Sequence, residues 1–525
     1  MPPDLSPVLT ASGMRAADRA AIDGWGVPGR VLMETAGRAA ADAVCARYAV
    51  GGARVTVLAG AGNNGGDGYV VARVLAGRGA TVRCVSLATD NGEDDSAATA
   101  EGDSEANFRL LQRLAADSNR LHVAPYEGPD SLGSEPVDLV VDGLLGIGAS
   151  GPLREPVRTL CAWANRQSAP VVALDVPSGL DATTGAAAEG AVRADLTVTM
   201  GALKAGLLLG DGPQHAGDVV VAEVGFPPSE VERHAAAHRA NDAWVAAHLP
   251  RRSADAHKYS AGTAVCVVGS GRFSGAAVLS TAAAYRAGAG AVVACTTASA
   301  QATVDARNAE VMVAAQPETG AGTLAERARD GVLSQTESAD AVLLGCGLGR
   351  DEETDRLVRQ LVETVEAPLV LDADGLNAFA GRADELAGRR APLVLTPHLG
   401  ELRRLLGDDG FDPGDRIATV RRLAERWGAV VLLKGMPSVV GVPDGRVFVG
   451  PAGRPALATA GTGDVLAGTT VGLLAQGLDP AKAAVCALGL GAVAADLWSQ
   501  RHGAAGLVAS DLVRLLPRAA AAFRS

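Results

Sequence analysis

From Arg54 onward the chain repeats one rhythm, a short apolar run bounded by Gly, Pro or Asp and then a stretch of helical character. In the first half RVTVLAG, ATVRCVSL, VDLVVDG, PVVALDV and DLTVTMG lack the polar alternation of a half-wet strand, so they read as parallel strands buried on both faces. Parallel neighbours need crossover helices, and the rhythm therefore predicts a doubly wound α/β fold. After GDVVVAEVGFPP it breaks into a polar stretch rich in His and Arg, Ser229 to His257, with no strand signal. It resumes with TAVCVVG, GAVVACTT, ADAVLLG, PLVLDADG, PLVLTPH, AVVLLKG and RVFVG, and closes in a Gly-rich helical segment. The expected division is a first α/β domain over 1–230, a linker over 231–256 and a second α/β domain over 257–525. The loop motifs differ, so neither half repeats the other.

A length of 525 residues agrees with more than one domain. The formal net charge is −12 and no basic run exceeds a pair such as Arg251 and Arg252, which argues against a nucleic-acid binder. The apolar stretch Ala483 to Ala495 is closed off by Lys482 and Asp496 short of the ~20 residues a membrane span needs, and reads as a buried helix; no membrane role is expected. The N-terminus lacks a basic start followed by an apolar stretch, and the seven cysteines are scattered without a CxxC pair, so the expected location is the reducing cytoplasm. The acidic segment Asp90 to Glu105 is too poor in apolar residues to pack and is expected to be a solvated loop without chemistry.

In open parallel sheets ligands bind beyond the carboxyl ends of the strands, so the residues after each strand are the places to search. RVTVLAG leads into GAGNNGGDG, Gly60 to Gly68, whose glycines let backbone amides approach an anion at the start of the helix DGYVVARVLAG. The spacing fits GxGxxG, yet Asn63, Asn64 and Asp67 exceed what a plain dinucleotide loop requires, and the lack of GKS or GKT excludes a P-loop. VDLVVDGLLGIGASG puts Asp142 at a strand tip ahead of a glycine-spaced turn, and VVALDVPSGLDATTG puts Asp175, Ser178 and Asp181 in a loop stiffened by Pro177. Asn64, Asp142 and Ser178 offer oxygens without the several carboxylates that Mg²⁺ or Ca²⁺ prefers, which suits a monovalent ion. Each aspartate alone could equally cap a helix or turn; three such loops together favour a binding site.

The second half carries AGTGDVLAGTTVGLLAQG, Ala460 to Gly477, a glycine turn opening a helix with Asp464 in its first turn. Amides there and the positive helix end suit a transferring phosphoryl group, and Asp464 could take the proton of an attacking hydroxyl; Thr462 or Asp464 could also simply cap the helix. LLKGMPSVV, with Lys434 to Ser438, presents a cation and small residues to a nucleotide, beside LVLDADGLNAF, Asp372 to Asn377, and LTPHLGEL, with His398 and Glu401. His398 could equally be an ordinary strand-end histidine. His234 and His238 sit at helical i, i+4 spacing but lack a third ligand, so no metal is expected there.

The set NNGGDG, VDGLLGIG and DVPSGLDATTG, in this order, resembles the NAD(P)H-hydrate epimerase domain. The set HK, FSGAA, GCGLG, DADGLN, TPHLGE, KG and GTGDVLAG, over His257 to Leu516, resembles the ADP- or ATP-dependent NAD(P)H-hydrate dehydratases. The resemblance implies two three-layer α/β/α domains, the N-terminal one Rossmann-like and the C-terminal one ribokinase-like. In the first, Asn63, Asn64, Gly65, Gly66 and Asp67, the turn Gly146, Ile147, Gly148, Ala149, Ser150, Gly151 and Pro152, and Asp175 would hold the hydrate. Asn64, Asp142 and Ser178 would bind K⁺, and Asp175 is the first candidate to carry the proton that epimerisation at C6 requires. In the second, Ala276, Gly347, His398 and Asp464 would contact the S hydrate, and Lys434, Gly435, Met436, Pro437, Ser438 and Gly463 would face the adenine nucleotide, brought in with Mg²⁺. Met436 and Pro437 stand where that family more often has small residues.

The implied task is repair of hydrated nicotinamide dinucleotides. The first domain would interconvert the R and S forms of NADHX and NADPHX, and the second would phosphorylate the C6 hydroxyl of the S form at the expense of ADP or ATP and expel phosphate. A homo-oligomer is also expected. Two other readings use the same motifs: a ribokinase-like kinase of a vitamin precursor or sugar, and a non-catalytic first half like the scaffolds of messenger-RNA decapping. Retention of Asp142, Asp175 and the asparagine-glycine loop favours an intact site over a scaffold.

Overall fold

The structure is a computed structural model that describes residues 5–87, 102–133, 135–255, 257–407, 412 and 414–524. Most of the acidic segment lies outside the described residues; its end does not form the expected loop, because Asp103–Ala116 is a helix with Asp103 and Glu105 in the first turn, where carboxylates favour the helix end. The chain divides into two compact units, Ser6–Ala236 and the chain from Ala237 onward.

The first unit contains β1 (Leu5–Leu9), β2 (Arg54–Ala59), β3 (Thr81–Ser86), β4 (Leu121–Pro125), β5 (Leu139–Gly143), β6 (Val171–Leu174), β7 (Leu196–Met200), β8 (Leu203–Lys204) and β9 (Asp218–Ala222). β4, β3, β2, β5, β6, β7 and β9 lie side by side in that order, all parallel, while β1 pairs with the two-residue β8. Alternate residues of the same strands feed two cores. Val57, Val141 and Val172 enter one, and Leu58, Val140 and Val171 enter the other. The sheet is thus covered on both faces, as unalternated apolar strands demand.

The second unit adds β10 (Ala237–Ala240), β11 (Thr263–Val267), β12 (Ala291–Thr297), β13 (Met312–Gln316), β14 (Ala341–Leu344), β15 (Leu369–Leu371), β16 (Leu393–Leu395), β17 (Val430–Leu433), β18 (Val439–Gly441) and β19 (Val447–Val449). The order β13-β12-β11-β14-β15-β16-β17 is parallel; β18 and β19 then follow antiparallel, and β10 pairs with β19. Within the expected linker, a helix ends at Arg233, Ala237–Ala240 form β10 and Asp242–His248 form a helix. His234 closes the helix Pro228–Arg233 and His238 lies in β10, so their spacing is not helical. Among the described residues no group of three or more His, Cys, Asp or Glu could hold a metal ion.

The helix Thr462–Ala475 packs directly on the helix Ser274–Ala287, because Gly468 and Gly472 have no side chain to keep them apart. A β-carbon on Gly468 would overlap the carbonyl oxygen of Ser280, and one on Gly472 would lie 2.5 Å from that of Ala284. Gly468→Ala is expected to destabilise this unit by about 1–3 kcal/mol despite the better helix propensity of alanine, read as a lower urea midpoint at unchanged slope. The helix Pro480–His502 is long and apolar enough to cross a membrane by length and composition, yet Ala483, Ala487, Leu490, Ala494 and Ala495 pack in the core.

Candidate active sites

β2, β5 and β6 are neighbours, so the residues after them meet at one sheet edge. Asn63–Gly66 are not the loop expected ahead of a helix at Asp67; the helix Asn63–Gly77 starts at Asn63 with Gly62 as its cap. Gly65 permits this, since a β-carbon there would overlap the Gly60 carbonyl. Asn64 is buried, and its Nδ2 donates to the carbonyls of Leu145 (2.9 Å) and Leu174 (3.2 Å), while its Oδ1 has no hydrogen-bond partner. Asp142 is fully buried and accepts from Ser178 N (2.8 Å), Ser178 Oγ (2.7 Å) and Leu144 N (3.2 Å). Burial pushes its carboxyl up to about 6 against those hydrogen bonds. The Leu145 backbone joins the pair, its N–H donating to Ser178 Oγ at 2.9 Å and its carbonyl accepting from Asn64. An orphaned amide oxygen, linked through Leu145 and Ser178 to a buried carboxylate, is oxygen-donor chemistry that suits a cation such as the expected K⁺.

Asp175 ends β6 with a left-handed φ of 64° and is 8% exposed. Its N–H donates to the Val198 carbonyl (2.8 Å), and its Oδ1 accepts from Met200 N (3.2 Å) and pairs with Lys204 Nζ at 2.6 Å. Asp67, half-buried on the facing helix, has its carboxyl raised well above the usual range, first by burial and then by Asp175 and Asp18, with Lys204 opposing. Asp18 is raised too, by burial and by Asp175. A β-carbon on Gly146 would lie 3.3 Å from Asn64 Cβ and 3.5 Å from Asp175 Oδ2, so these three expected residues converge. Ile147 instead packs into the apolar core, and Gly148 to Pro152 line a cavity of about 370 Å³ whose walls do not include Asn64, Asp67 or Asp175.

In the second unit Asp464 lies one turn into the helix Thr462–Ala475, capped by Gly461 at φ 87°. Its carboxyl is pushed up to about 6, first by burial and then by the Asp372 charge, with a Cys346 hydrogen bond and Lys434 opposing. Lys434 Nζ pairs with Asp372 Oδ1 at 2.7 Å and lies 3.7 Å from Glu401 Oε2. It would also stand 3.7 Å from a β-carbon on Gly463. The Cys346 thiol is buried 3.7 Å from Asp372 Oδ2, and burial followed by the two aspartates pushes it well up, so it remains a donor. Gly349 N–H holds Asp374 Oδ2 at 2.9 Å. Ala373, between the two aspartates, has φ 50°; among the described residues it and Asp175 are the non-glycine residues with positive φ, one at each site.

Gly347 and Ala276 are brought together, since a β-carbon on Gly347 would lie 2.6 Å from that of Ala276. His398 caps the helix Leu399–Leu406, its Nδ1 accepting from Gly400 N (2.9 Å) and Glu401 N (3.2 Å). With Nδ1 accepting, Nε2 carries the proton and lies 3.4 Å from Glu401 Oε1, so the half-exposed ring is held by its own helix on both nitrogens. Lys434, Gly435, Met436, Ser438 and Gly463 line a cavity of about 440 Å³ whose remaining walls include Leu466, Leu488 and Leu512. Buried Pro437 is absent from that lining, whereas Met436 stands 62% exposed at the rim over Gly453. Lys204, Asp18 and Cys346 went unnoticed in the sequence. A signal for the first existed: the chain has only four lysines, and Lys204 and Lys434 are the two paired with buried aspartates.

Residues 264–518 match the NAD(P)H-hydrate dehydratase family, and residues 29–206 match the family described as YjeF-related protein N-terminus. A bifunctional NAD(P)H-hydrate repair enzyme of Salinibacter ruber is 47% identical over 98% of this chain and 96% of its own. One from Escherichia coli is 34% identical over 97% and 93%. Among solved structures, the ADP/ATP-dependent NAD(P)H-hydrate dehydratase of Bacillus subtilis, co-crystallised with ATP/Mg²⁺, is 32% identical over 54% of this chain and 97% of its own, with a TM-score of 0.46.

Proposed function

This chain belongs to the family of bifunctional NAD(P)H-hydrate repair enzymes, and from that membership we propose that Asp175 serves epimerisation and Asp464 serves nucleotide-driven dehydration. The observation that carries the reading is the paired arrangement: each unit sets a buried or half-buried aspartate, Asp175 after β6 and Asp464 in the first turn of a helix, within a carboxylate cluster that a lysine neutralises.

In the second unit the C6 hydroxyl of the S hydrate attacks the terminal phosphate of ADP or ATP, and Asp464 takes its proton. Thr462 to Asp464 N–H groups at the helix start and the Lys434 ammonium face the charge that develops on the transferred group. The apolar 440 Å³ cavity receives the adenine. The C6–O bond then breaks with its electrons leaving on phosphate, the ring nitrogen lone pair fills in, and loss of a C5 proton restores the dihydronicotinamide. Asp372 is already tied to Lys434 and Asp374 to Gly349, so the protein presents no all-protein cage for Mg²⁺; the ion fits here as one carried on the nucleotide phosphates.

In the first unit the hydroxyl at C6 must leave and return, or the ring must open and reclose, and Asp175 moves the proton in either route. Asn64 Oδ1, Asp142 and Ser178 would hold K⁺, which supplies a fixed positive charge beside a carboxylate that otherwise lacks one. Asn63, Gly65, Gly66, Asp67 and Gly146 border the hydrate. The seven free thiols suit a reducing compartment and support a cytoplasmic location.

The test is to give the purified chain mixed R and S hydrates of NADH with Mg²⁺ and ADP or ATP, with and without K⁺, and follow dihydronicotinamide absorbance. Full recovery with K⁺, and a slow second phase without it, is the expected result. Recovery that stops at the S form under all conditions would remove the epimerase assignment, and no recovery would remove both.

A further inference from the structure

We propose that Lys204 is a positioning residue of the epimerase site, which holds the Asp175 carboxylate in its working orientation and keeps it charged. The inference rests on the reading of Asp175 as the proton carrier. Lys204 is 0% exposed, although a lysine side chain almost never gives up water without a reason. Its Nζ makes the 2.6 Å pair with Asp175 Oδ1 and also donates to the Met200 carbonyl. The backbone around it is anchored, since Lys204 lies opposite Leu9 in the β1–β8 pair. Met200 N–H holds the same Asp175 oxygen, and Asp175 N–H is tied to β7 through Val198. Oδ1 is thereby saturated, and Oδ2, the atom nearest the Gly146 position, is left to face the reacting carbon.

The charge argument follows from the groups that surround it. Asp175 faces Asp67 on the helix Asn63–Gly77 and Asp18 on the helix Ala11–Arg19, and Lys204 is the cation that opposes them. Without it, three carboxylates would share a partly buried corner, and repulsion would favour protonating Asp175. An arginine is the residue this chain uses almost everywhere else for positive charge, with 47 Lys+Arg of which four are Lys. A compact ammonium fits this corner most closely, and an arginine would keep the charge with a looser hold on Asp175.

The experiment uses the full chain and the variants Lys204→Met, Lys204→Arg and Asp175→Asn, with R-to-S interconversion followed by NMR from pH 5 to 9. S-hydrate dehydration reports that the second unit is folded, and circular dichroism with a urea midpoint reports on the first. The expected result for Lys204→Met is a kcat lower by about a hundredfold with KM nearly unchanged, and an acid limb moved up by about one pH unit. Lys204→Arg should keep the limb in its wild-type position and lose less. Wild-type kcat and limb in Lys204→Met would overturn the proposal, as would equal losses in both variants with an unmoved limb, the mark of a packing role. If Lys204→Met fails to fold, Lys204→Arg decides: measurable turnover with an unmoved limb supports the role, and a folded variant as inactive as Asp175→Asn overturns it. Full R-to-S activity in Asp175→Asn, by contrast, would sink the reading of Asp175 itself whatever the lysine variants do.

Discussion

Asp464→Asn stops repair of the S hydrate. The expected loss in kcat is about a thousandfold, within the range that a general base contributes, while Asn keeps the size of the side chain. Binding of the nucleotide should change little, because the 440 Å³ cavity is walled by other residues. The pH dependence gives a second readout. Asp464 must be ionised to accept a proton, and its carboxyl titrates at about 6, so kcat/KM should be level above that value and fall about tenfold per pH unit below it. The Asp372 charge is the second cause of the raised value after burial. Asp372→Asn should therefore move the limb to lower pH, and the direction of that shift is the check. A limb that stays put would mean that another group sets it.

Asp175→Asn leaves a different defect. Dehydration of the S form proceeds at its normal rate, then absorbance stalls with the R form unspent, and interconversion is slower by about a hundredfold or more. Asn is chosen because it tolerates the left-handed φ of 64° better than other residues, so the loss reports chemistry and not a backbone rearrangement. The spontaneous interconversion of the hydrates, measured without protein, sets the floor. A stall at the R form in Asp175→Asn, together with intact R-to-S interconversion in Asp464→Asn, would separate the two activities on one chain.

Much of this was legible because parallel strands buried on both faces write their own pattern. The long apolar runs from RVTVLAG to AVVLLKG became strands, and the residues after β2, β5 and β6 come together at one sheet edge. What escaped were elements whose signals are weak or whose partners are remote. β4 (LHVAP) and β13 (MVAAQ) are edge strands, half-wet and without a full apolar run. β8 has two residues. β10 carries His238 and Arg239 and is a strand because β19 offers a ladder, with His238 opposite Phe448. In the sites, Asp142, Asp175 and Asp464 were readable from their place at strand ends and a helix start. Lys204 was not, because its meaning depends on a fold-back that sets it against Asp175, and the turn Gly146–Pro152 was read as one surface although only its first glycine meets Asn64 and Asp175. His398 shows the reverse case, a residue marked for substrate whose first duty is to cap a helix.

The close seat of Thr462–Ala475 on Ser274–Ala287 sets a limit on how this chain can diverge. A side chain at Gly468 or Gly472 would run into main chain of the facing helix, so neither position can grow without moving the helix that carries Asp464. The rim of the 440 Å³ cavity is the opposite: Met436 is 62% exposed. Drift in sequence can therefore reshape the cavity rim at Met436 while the helix that carries Asp464 stays where it is.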